Sequence, residues 1–231
     1  MEKKKIQNPF AALNNFEWSL WLSSLVVVTL SFLLSPDKDY LSLCASLIGV
    51  TALIFVAKGM VIGQILCVIF AVFYGIVSFY FRYFGEMITY LGMSAPIAIF
   101  SVISWLRHPY KQSQEVEVNQ VTKKQWLLLS VVSVAVTIAF YFVLRALHTT
   151  NLLISTISVT TSFVACYLSF LRSPFYAVGY AANDVVLIVL WTLAAIENIA
   201  YLPMIACFVA FLANDGYGFY QWQKMKRRQR K

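Results

Sequence analysis

The sequence predicts an all-α polytopic membrane protein with eight transmembrane helices, an extra N-terminal helix followed by a three-plus-one-plus-three core. Three observations predict it. Hydrophobic residues make up 60% of the 231 and charged residues only 12%, about half the charged share of soluble domains. The apolar residues fall into runs near the ~20 residues that cross ~30 Å of hydrocarbon. The basic residues gather between alternate runs, fifteen on one side and three on the other, as the positive-inside rule requires. One soluble core could not hide so much apolar surface. A β-barrel would show short alternating segments instead.

The elements follow in order. Lys3, Lys4 and Lys5 precede a first run at 18–34. No small-x-small cleavage site closes it, so it reads as a retained helix rather than a signal peptide. Ser35-Pro36-Asp37 stops it. Runs at 41–57, 60–81 and 87–106 come next, the first two separated by a tight Lys58-Gly59 turn. The polar stretch 107–125 divides the chain, and a lone run follows at 126–147. Runs at 152–171, 175–195 and 199–220 complete the count, with Arg172-Ser173-Pro174 between the first two. The domain division is a tail and additional helix (1–38), a first three-helix bundle (39–107), a loop and linker helix (108–148), a second bundle (149–223) and a basic tail (224–231).

Charge and topology set further expectations. The net charge of +8 sits in termini and short loops, which assigns it to orientation, with both termini cytoplasmic, and not to nucleic acid. Each bundle would begin outside, so the two are expected to repeat in parallel about an axis along the membrane normal. Each ends in a helix with an acidic residue at its outer edge (Glu86; Glu197), a proline (Pro96; Pro203) and a late tryptophan (Trp105; Trp222). Cys44, Cys67, Cys166 and Cys207 lie in apolar runs without metal or redox spacing, and read as small buried hydrophobes. His108 and His148 lie at helix ends without ligand partners, and no P-loop occurs. No catalytic group, metal or cofactor is expected.

Asp184 and Asp215 are the acids placed inside apolar runs, and intramembrane charge points to function. Tyr180, Asp184, Leu187 and Trp191 share one helix face, with Asn183 beside it. A carboxylate, a carboxamide, a phenol and an indole suit a flat polar ring, above all a cationic one. Gln64 and Tyr74 offer a second polar face in the third run. Asn214 joins the candidates, with Tyr217 nearer a gate, and Pro96 and Pro203 as bending points.

The runs Tyr74-Gly75, Tyr83-Phe84-Gly85-Glu86-Met87, Pro96 and Trp105 resemble the first half of the PnuC-type vitamin transporter family. Arg172-Ser173-Pro174-Phe175-Tyr176, Asn183-Asp184, Trp191, Asn214-Asp215-Gly216-Tyr217-Gly218 and Trp222 resemble its second half, over about residues 40–226. The resemblance implies a SWEET-like fold and passive uniport of nicotinamide riboside, a vitamin B3 form used in NAD biosynthesis, across the cell membrane. It also implies trapping by a cytoplasmic kinase and a homo-oligomer, a trimer. Where many members carry W-x-x-W, this chain has Ala177 and Tyr180, which alters the stacking surface. Relatives that carry thiamine, riboflavin or deoxynucleosides keep those solutes as alternatives, and a titratable Asp184 keeps proton coupling as another.

Overall fold

The computed structural model describes residues 8–36, 38–80, 83–111 and 113–230. Eight of its helices are long and apolar enough to cross a membrane. They are α1 (Asn15–Leu34), α2 (Tyr40–Ala57), α3 (Val61–Tyr80), α4 (Phe84–Arg107), α5 (Lys123–Ala146), α6 (Leu152–Phe170), α7 (Tyr176–Glu197) and α8 (Leu202–Gln229). The sequence-derived spans hold to within a few residues, except that α8 runs on past 220. Its basic end stays helical because Lys224, Lys226 and their neighbours can leave the apolar layer without breaking the backbone ladder. Lys3, Lys4, Lys5, Asp37, Arg82 and Lys231, used in the sequence argument, lie outside the described residues.

Local chemistry explains the helix ends. Asn14 and Glu17 form a capping box at α1, and Thr122 and Gln125 form another at α5. The Asp39 carboxylate accepts from the Leu41 and Ser42 amides at the start of α2. The α2–α3 and α6–α7 turns each contain a left-handed residue, Gly59 at φ 66° and Arg172 at φ 56°. Helix α4 carries a π-helical turn at Tyr90–Ser94, directly before Pro96. Such turns are rare and concentrate at functional sites.

Six helices close a ring. Contacts run α2 to α3, α3 to α4, α4 to α6, α6 to α7, α7 to α8, and α8 back to α2. Helix α5 packs outside on α6, and α1 packs outside on α8 and α2. Two glycines let helix backbones approach each other closely. A Cβ on Gly63 would sit 2.4 Å from the Val56 amide nitrogen, and one on Gly179 would sit 2.9 Å from the Ala165 Cα. Residues 108–111 and 113–121 lie on the face that carries Lys58, Arg107 and Arg172, the basic face. Val116 donates its amide to the Gly59 carbonyl at 2.9 Å and Asn119 to the Arg172 carbonyl at 3.0 Å.

Two burial expectations need correction. Cys44 is exposed on the bundle surface, and Cys67 is only half-buried because it faces the space inside the helix ring. Acid burial goes further than Asp184 and Asp215: Glu17 is 0% and Glu86 2% exposed. Glu17 lies under Lys58 at 3.1 Å and the Tyr217 hydroxyl, which donates at 2.6 Å.

Candidate functional site

The ring surrounds a cavity with about 660 Å³ of atom-free space, open solvent included. Every ring helix lines it. Ala52 and Val56 come from α2, Cys67 and Phe70 from α3, Tyr90 and Ser94 from α4, Ser162 and Cys166 from α6. Helix α7 supplies Tyr180, Asn183 and Asp184, and α8 supplies Phe208, Phe211 and Asp215. The π turn sets the positions of Tyr90 and Ser94 in the wall. The Ser94 hydroxyl meets that of Ser162 at 3.3 Å, joining α4 to α6.

Two carboxyl groups dominate the cavity electrostatically. Asp184 and Asp215 are each 3% exposed, and their side chains lie within hydrogen-bonding reach of one another. Asp184 Oδ2 has no hydrogen-bond partner among the described residues. No Lys, Arg or His is among the described residues lining the cavity. Asn183 is oriented by α6: its Oδ1 accepts from Thr161 at 2.9 Å and Ser158 at 3.4 Å. That leaves the carboxamide nitrogen as a donor. The wall thus combines aromatic faces, two carboxyls and a carboxamide, a set that fits a planar cation carrying hydroxyl groups.

Aromatic layers flank the cavity towards both faces. Towards the basic face, Trp105 and Trp222 rings meet at 5.4 Å and Tyr176 packs on Trp222 at 5.0 Å. Trp105 Nε1 donates to the Ser169 carbonyl at 2.9 Å, across the α4–α6 seam. Trp222 Nε1 donates to the Val56 carbonyl at 2.8 Å, across the α8–α2 seam. Towards the far face, Tyr74 and Tyr90 rings meet at 4.3 Å, and Trp191 Nε1 donates to the Tyr74 hydroxyl at 3.0 Å. Tyr83 and Tyr201 pack on Trp191 above them. Burial, with Tyr201 and Glu197 alongside, pushes the Tyr83 phenol up to about 12, so it stays neutral.

The residues singled out from sequence separate into groups. Tyr180, Asn183 and Asp184 converge on the cavity. Tyr74 and Trp191 are bonded to one another outside the cavity lining, in the aromatic layer that reaches the cavity through Tyr90 and roofs it. Gln64 donates to Ser169 Oγ at 2.9 Å, beside the lower tryptophans. Asn214 faces α1, donating to Ser24 Oγ at 2.9 Å, while Asp215 beside it faces the cavity. Tyr217 also turns to α1, through Glu17. Pro96 follows the π turn, and Pro203 sits in the first turn of α8. Sequence reasoning named Asp215 as an intramembrane acid without placing it in the site, and gave no inward role to Glu86, Phe208 or Phe211. For Asp215 the signal was present, an acid in an apolar run.

Comparison with known proteins adds an independent line. The family model described as nicotinamide mononucleotide transporter matches residues 39–224. The chain is 27% identical over 224 residues to the nicotinamide riboside transporter PnuC of Neisseria mucosa, covering 95% of this chain and 85% of that one. It is 24% identical over 212 residues to the nicotinamide riboside transporter PnuC of Haemophilus influenzae, covering 90% of each. A crystal structure of the vitamin B3 transporter PnuC superposes with a TM-score of 0.82 at 27% identity, over 95% of both chains. These relatives are named transporters, a non-enzymatic role carried by a multi-pass membrane fold.

Proposed function

Because this chain belongs to the nicotinamide mononucleotide transporter family, we propose that it carries nicotinamide riboside across the cell membrane, as its named relatives do. One observation carries the choice of riboside over mononucleotide. The cavity holds two carboxyl groups and, among its described lining residues, no basic one. The riboside carries one positive charge on its pyridinium ring. The mononucleotide adds a phosphate of ~1.5–2 negative charges, which two neighbouring aspartates repel. Tyr180 and Phe208 offer surfaces for the ring, Asp184 and Asp215 meet its charge, and the Asn183 amide donates to the ribose or carboxamide oxygens.

Transport is uniport by alternating access. The tryptophan layer and the tyrosine layer act as the two gates, and only one opens at a time. The paired seam bonds from Trp105 and Trp222, and the matching left-handed turns at Gly59 and Arg172, support two three-helix bundles related by a two-fold axis, the SWEET-like arrangement. The basic face is cytoplasmic by its charge. Once a kinase adds phosphate to the riboside, the acidic cavity refuses the product, so the passive carrier retains what it admits. The protein works as a homo-oligomer, expected to be a trimer.

Proton coupling is a second reading, favoured by the contact between Asp184 and Asp215. A proton bridging them would be displaced by an arriving cation. Uptake of nicotinamide riboside into liposomes holding the purified protein and a riboside kinase with ATP tests both. Uniport predicts accumulation that ignores an imposed proton gradient. Accumulation that follows the gradient supports coupling, and no accumulation refutes the transport reading.

A further inference from the structure

The central cavity does not account for every buried acid. Glu86 opens α4 on the far face, and it is 2% exposed with neither carboxyl oxygen holding a hydrogen-bond partner among the described residues. Ser158 of α6 lies beside it, yet the Ser158 hydroxyl donates to Asn183 Oδ1. A carboxylate taken out of water without a partner is costly, and an unpaired one near a solute route calls for a positive charge to meet it.

Its position is specific. Glu86 and Tyr90 are four residues apart in α4 and therefore share a face. Tyr90 is already part of the cavity wall. Both Tyr74 and Tyr90, whose rings form the roof, lie within electrostatic reach of the Glu86 carboxyl. Glu86 therefore stands one turn outside the roof, with aromatic faces beneath it and Ser158 and Asn183 leading inwards along α6 and α7. Aromatic faces plus a carboxylate make a receiving site for a planar cation.

We propose that Glu86 is a specificity-determining residue that holds the positive charge of the incoming solute on the far side of the Tyr74–Tyr90 roof, before it passes to Asp184. This rests on the riboside reading. The carboxylate offsets desolvation of the pyridinium at the step where it leaves water, when Asp184 is still screened by the closed roof. Cations are thereby admitted faster than neutral nucleosides of the same shape, and selection begins before the central cavity is reached.

An acid on the entry path acts on the association rate more than on the dissociation rate, and this separates it from a packing residue. The full chain, purified and reconstituted in nanodiscs, is mixed with nicotinamide riboside or its neutral dihydro form in a stopped-flow fluorimeter, reading tryptophan fluorescence. Glu86→Gln is expected to slow association of the cation roughly three- to tenfold and to leave the neutral form unchanged. Glu86→Asp retains the cation rate, and Glu86→Met serves as a second neutral variant should Glu86→Gln fail to fold. Equal losses for both probes would reduce Glu86 to a structural role. A wild-type cation rate in both neutral variants would mean that no charge acts there, and overturns the proposal. A wild-type protein that binds neither probe removes the riboside reading and this inference with it, an outcome distinct from the other two.

Discussion

Trp105 and Trp222 are expected to hold the basic-face gate shut, and their bonds can be removed one at a time. Phenylalanine at either position keeps an aromatic ring and deletes the N–H. Each substitution loses one buried seam bond, Trp105 to the Ser169 carbonyl at 2.9 Å or Trp222 to the Val56 carbonyl at 2.8 Å. A typical net value is about 1 kcal/mol. If the bond is made only while the gate is closed, the open population rises about fivefold. The two rings touch, at 5.4 Å between centroids, so the double variant departs from additivity. Cys67 lines the cavity and reports its access. With Cys44, Cys166 and Cys207 replaced by alanine, a membrane-impermeant maleimide added from the basic face should label Cys67 about five times faster in Trp222→Phe than in the parent. From the far face the rate should not rise. Equal acceleration from both faces would indicate general loosening, and no acceleration would refute a gate at the tryptophans.

Three further outcomes follow from the same geometry. Asp184→Asn and Asp215→Asn should each weaken calorimetric binding of nicotinamide riboside about tenfold or more, with little effect on neutral nucleosides; unchanged cation affinity in both would remove the charge role. Asn214→Ala deletes the donor to Ser24 and should lower the melting temperature by an amount equivalent to about 0.5–1.5 kcal/mol, without changing substrate affinity. Gly63→Ala forces α3 off the α2 backbone, where its Cβ would lie 2.4 Å from a nitrogen; a loss of about 1–3 kcal/mol in thermal unfolding is expected, and a neutral effect would show the packing to be looser.

The helices were legible because each apolar run ends at a residue with a local reason to end it, such as Pro36, Gly59 or the 107–125 stretch. Positive-inside counting supplied a check that no single run could. Tyr180, Asn183 and Asp184 could be grouped because helical periodicity puts them on or beside one face, and that face is the one α7 turns to the cavity. Asn214 and Asp215 show where that logic stops. Adjacent residues diverge by about 100° around a helix, so one meets α1 and the other the cavity. Only the docking of α1 on α8 decides which, and the pattern along α8 carries no record of it. Glu86 and Glu17 were hidden for a related reason. Each sits in a first helical turn, where acids are ordinary, and what packs over them, Ser158 beside Glu86 and the partners Lys58 and Tyr217 on Glu17, comes from distant segments.

Trapping, charge selection and the roles of both aspartates all depend on an acidic pocket that takes the riboside and refuses its phosphate. Isothermal titration of the purified chain with nicotinamide riboside and, separately, nicotinamide mononucleotide measures this directly. The account predicts saturable one-site binding of the riboside and affinity for the mononucleotide lower by at least about a hundredfold. Equal affinity for the two, or tighter binding of the mononucleotide, would contradict it.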